Sequence, residues 1–191
     1  MAQPISRLQI HRTSYIVIPA RLASTRLPRK LLLQETGKSV IHHTYEAARR
    51  ASRPLEVCVA VDDQELFQHV HNFGGTAIMT DPNAASGTDR VAEIASGMPH
   101  IDIFVNVQGD EPEISGRSID YVIDILENDP LADIATLAAP IRCEEALRDP
   151  SCVKVVCDEA RRALYFSRSP IPCVRDWNAC LLYTSDAADE G

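Results

Sequence analysis

Four cations crowd one short stretch, Arg21, Arg26, Arg29 and Lys30, in a chain of 191 residues whose formal net charge is −8. A basic cluster against an acidic background suits an anionic ligand held by guanidinium and ammonium groups. A second stretch, Gln108-Gly109-Asp110-Glu111-Pro112, carries adjacent carboxylates. A carboxylate facing a basic loop suits a hard cation such as Mg²⁺, which takes one or two carboxylates together with substrate phosphates. Gly109 leaves room there for a flat group. A third stretch, Ser86-Gly87-Thr88-Asp89-Arg90, enters a helix. Its hydroxyls and free backbone N–H groups suit an anion or the edge of a base, and Ser86 or Thr88 can equally cap the helix.

These three stretches need elements to hold them. Tyr15-Ile16-Val17-Ile18 is a short apolar run that predicts a buried strand, so the basic stretch is the loop out of it. Helical spacing begins near Val40, and Pro54 closes that segment. Glu56–Val61 predicts a second strand, Asp62-Asp63 a helix start, and Gly74-Gly75 its end. Ala77–Met79 predicts a third strand, followed by a helix with Val91, Ile94 and Ala95. Ile101–Val107, apolar and branched, predicts the central strand. If that strand stays extended, Asp110 and Glu111 point to opposite sides. Ile119, Val122, Ile123 and Leu126 mark an amphipathic helix. Ile134–Ala139, Val153–Cys157 and Ala163–Phe166 predict further strands. The alternation implies an α/β fold, a mostly parallel sheet with helices on both faces. In such sheets, ligands bind beyond the carboxyl ends of the strands, where the basic loop and Asp110 would meet.

Several chemistries are excluded. The acidic balance argues against nonspecific binding to nucleic acid. No apolar run approaches the ~20 residues of a spanning helix, so no membrane insertion is expected. Residues 1–14 lack an apolar signal core and read as a loose tail. The six cysteines form no CxxC pair and read as reduced thiols, which places the chain in the cytoplasm. The pairs His42-His43 and His69/His71 present no common face and read as solvated. No GxSxG, Walker A or GxGxxG pattern occurs. Residues 180–191 continue no periodic element and look like translated sequencing-adapter DNA. They are set aside, leaving 15–179 as one domain incomplete at its C-terminus.

Four segments in order, 19–30, 86–90, 105–112 and 163–172 (Ala-Leu-Tyr-Phe-Ser-Arg-Ser-Pro-Ile-Pro), resemble the 3-deoxy-manno-octulosonate cytidylyltransferase family, the CMP-Kdo synthetases. The resemblance spans about Tyr15 to Pro172. It implies a Rossmann-like nucleotidyltransferase fold and transfer of CMP from CTP to Kdo, releasing pyrophosphate, for lipopolysaccharide synthesis. It implies that Arg21 and Lys30 hold the triphosphate and that Asp110 binds the cofactor Mg²⁺. Ser86, Gly87, Thr88, Asp89, Arg90 and Gln108 would form the cytidine pocket, and Tyr165 and Arg168 would lie toward the sugar acid. Two positions depart from the family: Arg29 stands where its loop usually reads glycine, and Ala84-Ala85 where it commonly reads His-Gln. The alternatives are a cytidylyltransferase for another sugar acid or a polyol phosphate, and a noncatalytic nucleotide-binding paralogue. A second metal aspartate and part of the acceptor pocket are expected beyond residue 179, so the chain as given is expected to be inactive. A homodimer is left open for the full-length protein.

Overall fold

In the computed structural model, which describes residues 12–23 and 27–172, the first apolar run becomes strand β1 (Ser14–Ala20). Alternation sends Ile16 and Ile18 to one face and Val17 to the other, all without exposed surface. β2 (Val57–Val61), β3 (Ala77–Met79) and β4 (Ile103–Asn106) pair in parallel in the order β3-β2-β1-β4. Ile16 stands opposite Val57 on one side and Val105 on the other.

Helices cover both faces. α1 (Val40–Ala48), α2 (Gln64–Asn72) and α4 (Gly116–Asn128) bring Ile41, Leu66, Val70, Ile119 and Ile123 against Ile16, Ile18 and Val59. α3 (Gly87–Ser96) lays Val91 and Ile94 on the opposite face, over Val17, Cys58 and Ala60. Each apolar stripe recurs at i, i+3 or i+4, so the helices form because the sheet buries those stripes. The first residue of α4, Gly116, meets the chain just past α1 closely: an added Cβ would lie 2.5 Å from the Arg50 carbonyl carbon.

Three expectations need correction. Among the described residues, Ile101–Val107 is not central: β4 lies at the edge of the order, while β1 and β2 are inside, and every residue of β2 is buried. Ile134–Ala139 forms no strand. Ile134 is 85% exposed, so no burial offsets the entropy of ordering it as a strand. The histidines are not simply solvated: His42 stacks on Phe73 with ring centroids 4.2 Å apart, and His69 meets the same ring edge-on.

The described residues divide into two compact units between Thr136 and Leu137. The second contains a short helix, α5 (Glu144–Arg148), and an antiparallel pair of β5 (Lys154–Cys157) with β6 (Ala163–Ser167). Buried Lys154 anchors this unit, donating to the carbonyls of Asp149 at 2.6 Å and Arg168 at 3.0 Å. Among the described residues, no helix is long and apolar enough to cross a membrane.

Candidate active site

β1 leads through α1 to β2 on one side, while β4 pairs with its other side. The loops after β1 and β4 therefore diverge, and the crevice between them is the place where open α/β sheets take ligands. A cleft of about 210 Å³ opens there, lined by Pro19, Arg21, Lys30, Leu31, Gly87, Gln108, Gly109 and Asp110. Six of the residues singled out from the sequence thus converge: Arg21, Lys30, Gly87, Gln108, Gly109 and Asp110.

Lys30 is placed by a 3-10 turn, Lys30–Leu32, whose preceding residue Arg29 adopts the left-handed conformation at φ 55°. The Lys30 ammonium donates to Asp110 Oδ2 at 2.6 Å. Arg21 reaches toward α3 and donates to the Ala84 carbonyl at 2.6 Å. Arg29 turns away to pair with Glu65. Arg26 lies outside the described residues.

Asp110 does not sit on an extended strand. The chain turns after Val107, with the Glu111 N–H donating to the Gln108 carbonyl at 3.1 Å, so strand alternation no longer separates Asp110 from Glu111. Burial first, and then the Asp110 charge, hold the Glu111 pKa above the usual carboxylate range. Gly109 is fixed from behind: buried Thr44 on α1 donates to its carbonyl at 3.0 Å. An added Cβ at Gly109 would lie 3.1 Å from the Pro19 carbonyl oxygen, so the glycine admits neighbouring backbone.

The 86–90 stretch divides by role. Ser86 and Asp89 form a capping box, with the Ser86 N–H and hydroxyl donating to Asp89 Oδ2 at 2.7 Å and the Asp89 N–H returning to Ser86 Oγ. Gly87 faces the cleft and Thr88 is exposed. Arg90 is wholly buried, donating to Thr80 Oγ1 at 2.7 Å, the Asp81 carbonyl at 3.0 Å and Asp62 Oδ2 at 3.1 Å. Its guanidinium joins β2, β3 and α3 and does not line the cleft. The Asp62 and Thr44 contacts were missed from sequence. Asp62 read only as a helix start, and Asp63 is in fact the cap of α2.

In the second unit, Tyr165 is 62% exposed on β6, and Arg168 donates to the Pro150 carbonyl at 2.8 Å. Burial pushes the Cys58 thiol up to about 12, which makes it a poor nucleophile. Among the described residues, no group of three or more His, Cys, Asp or Glu side chains could hold a metal ion. Asp110 is therefore an oxygen donor that would need ligands from elsewhere.

The sequence pattern of a family described as cytidylyltransferase matches residues 15–187. The chain belongs to the cytidylyltransferase family. Relatives of this chain include 3-deoxy-manno-octulosonate cytidylyltransferases from Rhodopirellula baltica and Escherichia coli. The first is 54% identical over 84% of this chain and 64% of its own length, the second 47% identical over 84% and 65%. This chain thus spans less than two thirds of either relative. A solved CMP:2-keto-3-deoxy-manno-octonic acid synthetase in complex with CTP superimposes with a TM-score of 0.81 at 46% identity, covering 86% of this chain and 67% of that one.

Proposed function

We propose that this cytidylyltransferase chain belongs to an enzyme that transfers CMP from CTP to Kdo, releasing pyrophosphate and supplying CMP-Kdo for lipopolysaccharide synthesis in the cytoplasm. The observation that carries the reading is the cleft at the switch point, where Lys30 and Asp110 face each other beside Arg21. The names of the relatives support the choice of CTP and Kdo.

In this reading a Kdo hydroxyl attacks the α-phosphorus of CTP, a P–O bond forms, and the bond to pyrophosphate breaks. The chain's residues position and neutralise rather than form covalent bonds. Arg21 and Lys30 bind phosphate oxygens, and the α3 N-terminus at Gly87 offers backbone N–H groups. Gln108 and its neighbours bound the cytidine side. Asp110, half-exposed in the cleft, fits Mg²⁺ as one carboxylate supplemented by phosphates. Bound there, Mg²⁺ would supply Lewis-acid stabilisation of the charge on the leaving pyrophosphate.

The test is pyrophosphate release from CTP, assayed with Kdo, sialic acid or methylerythritol phosphate, by the chain and by the chain extended with a homologous C-terminal segment. Preference for Kdo in the extended protein is the expected outcome. Preference for another acceptor overturns the substrate assignment, and no release with any of them overturns the enzymatic reading. Light scattering of the extended protein tests for the homodimer.

A further inference from the structure

We propose that Asp62 is a positioning residue for the cleft, fixing the chain that leaves β1 so that Arg21 stands correctly opposite α3. The proposal rests on reading the cleft as a nucleotide site. Asp62 follows the last residue of β2, and its side chain is only 13% exposed. Its two oxygens have separate tasks. Oδ1 accepts the Leu22 backbone N–H at 3.1 Å, and Oδ2 accepts from Arg90 Nη2 at 3.1 Å. Leu22 directly follows Arg21, so this bond fixes the backbone at the point where the basic loop departs.

The anchor beneath is buried. Arg90 has no exposed surface and also holds Thr80 Oγ1 and the Asp81 carbonyl, while Thr80 donates to the Val61 carbonyl at 3.0 Å. A buried guanidinium requires a counter-charge, which Asp62 supplies. The ends of β2 and β3 and the helix α3 are thereby tied to the loop after β1 through one carboxylate. Arg21 then spans to the Ala84 carbonyl, just ahead of α3. Asp62 itself does not line the cleft, so any effect on a ligand passes through the β1 loop.

A double-mutant cycle with Arg21 separates positioning from general support of the fold. Binding of Mg–CTP is measured calorimetrically for the wild-type chain, Asp62→Ala, Arg21→Ala and the double variant. Asp62→Ala should weaken binding about tenfold alone and less than twofold when Arg21 is already gone, because coupled residues are not additive. The Leu22 amide should also exchange its hydrogen at least about tenfold faster in ligand-free Asp62→Ala, while the β1 amides keep their protection. If Asp62→Ala does not fold, Asp62→Asn, which retains one acceptor, replaces it in the same cycle. Equal losses in both backgrounds, no loss at all, or unchanged Leu22 exchange overturns the positioning role. Wild-type protein that fails to bind Mg–CTP overturns the nucleotide reading first, and this use of Asp62 with it.

Discussion

Lys30 and Asp110 lie 80 residues apart in sequence, yet Nζ of one sits 2.6 Å from Oδ2 of the other. They stand on different connections, one after β1 and one after β4, where the strand order reverses, and each side chain is close to half exposed. Such an exposed pair contributes at most about 1 kcal/mol to stability. Its significance is electrostatic, since a phosphate complexed to a cation satisfies both partners at once and leaves neither charge unpaired.

Lys30→Ala should therefore leave the melting temperature within a few degrees of wild type, as expected for loss of about 1 kcal/mol or less. It should nevertheless weaken Mg–CTP binding about tenfold or more, because a charge-assisted phosphate contact is lost. Calorimetric titration and thermal denaturation of one preparation check both halves. Unchanged CTP binding would reduce this loop to a surface feature.

Asp110→Asn, made in the chain extended with a homologous C-terminal segment, should lower turnover on the order of 100-fold or more at saturating Mg²⁺. The fold should persist, because Asp110 lies in an exposed turn after β4. Steady-state pyrophosphate release, alongside circular dichroism, is the measurement. Near-normal turnover would refute the metal role.

Arg29 adopts φ 55° and ψ 28°, the left-handed region that favours glycine. The left-handed conformation costs a residue with a Cβ roughly 1–2 kcal/mol. Arg29→Gly removes that strain, but it also loosens the unfolded chain and loses the exposed Glu65 pair, so the net change should stay within about 1 kcal/mol. Arg29→Ile should be less stable than Arg29→Gly by about 1–2 kcal/mol, because a β-branched residue tolerates this region poorly. Urea denaturation of both variants checks the order.

Gly116→Ala should destabilise by about 1–3 kcal/mol, since the new methyl meets backbone rather than a side chain that can move away. Gly97→Ala is the control: its Cβ would make only ordinary contact, 3.4 Å from the Ile94 carbonyl oxygen. Equal effects of the two substitutions would refute the close approach of Gly116 to the Arg50-Ala51 backbone.

His69 places Nε2 2.7 Å from Oγ of buried Ser39, the N-cap of α1. Burial, helped by the nearby His42, lowers its pKa against a weaker upward pull from Glu65. The folded state therefore binds this proton less readily than the unfolded chain does. The stability contributed is complete above the ordinary value of 6.5 and is lost as pH falls from there toward the lowered folded value. In His69→Gln the melting temperature should vary less with pH across that window than in wild type. An identical pH profile would show that His69 does not titrate with folding.

The sequence by itself determined where apolar runs become strands, which helices carry a buried stripe, and which side chains could meet an anion or a cation. Those properties are local: period two or 3.6 reports which side of an element is buried, and side-chain type reports the chemistry available. Pairing partners are not local. β4 looked central because it is apolar, but hydrogen bonding among the described strands placed β1 and β2 inside and β4 at an edge. Ile134–Ala139 carried the residues of a strand without acquiring a partner among the described residues. Arg21 and Arg90 were alike in sequence, each an arginine in a polar stretch. Only tertiary structure separated them, turning Arg21 to the cleft and burying Arg90 against Asp62 and Thr80. A guanidinium satisfies phosphate and carboxylate equally well, so its role is decided by whichever acceptor the fold brings within reach.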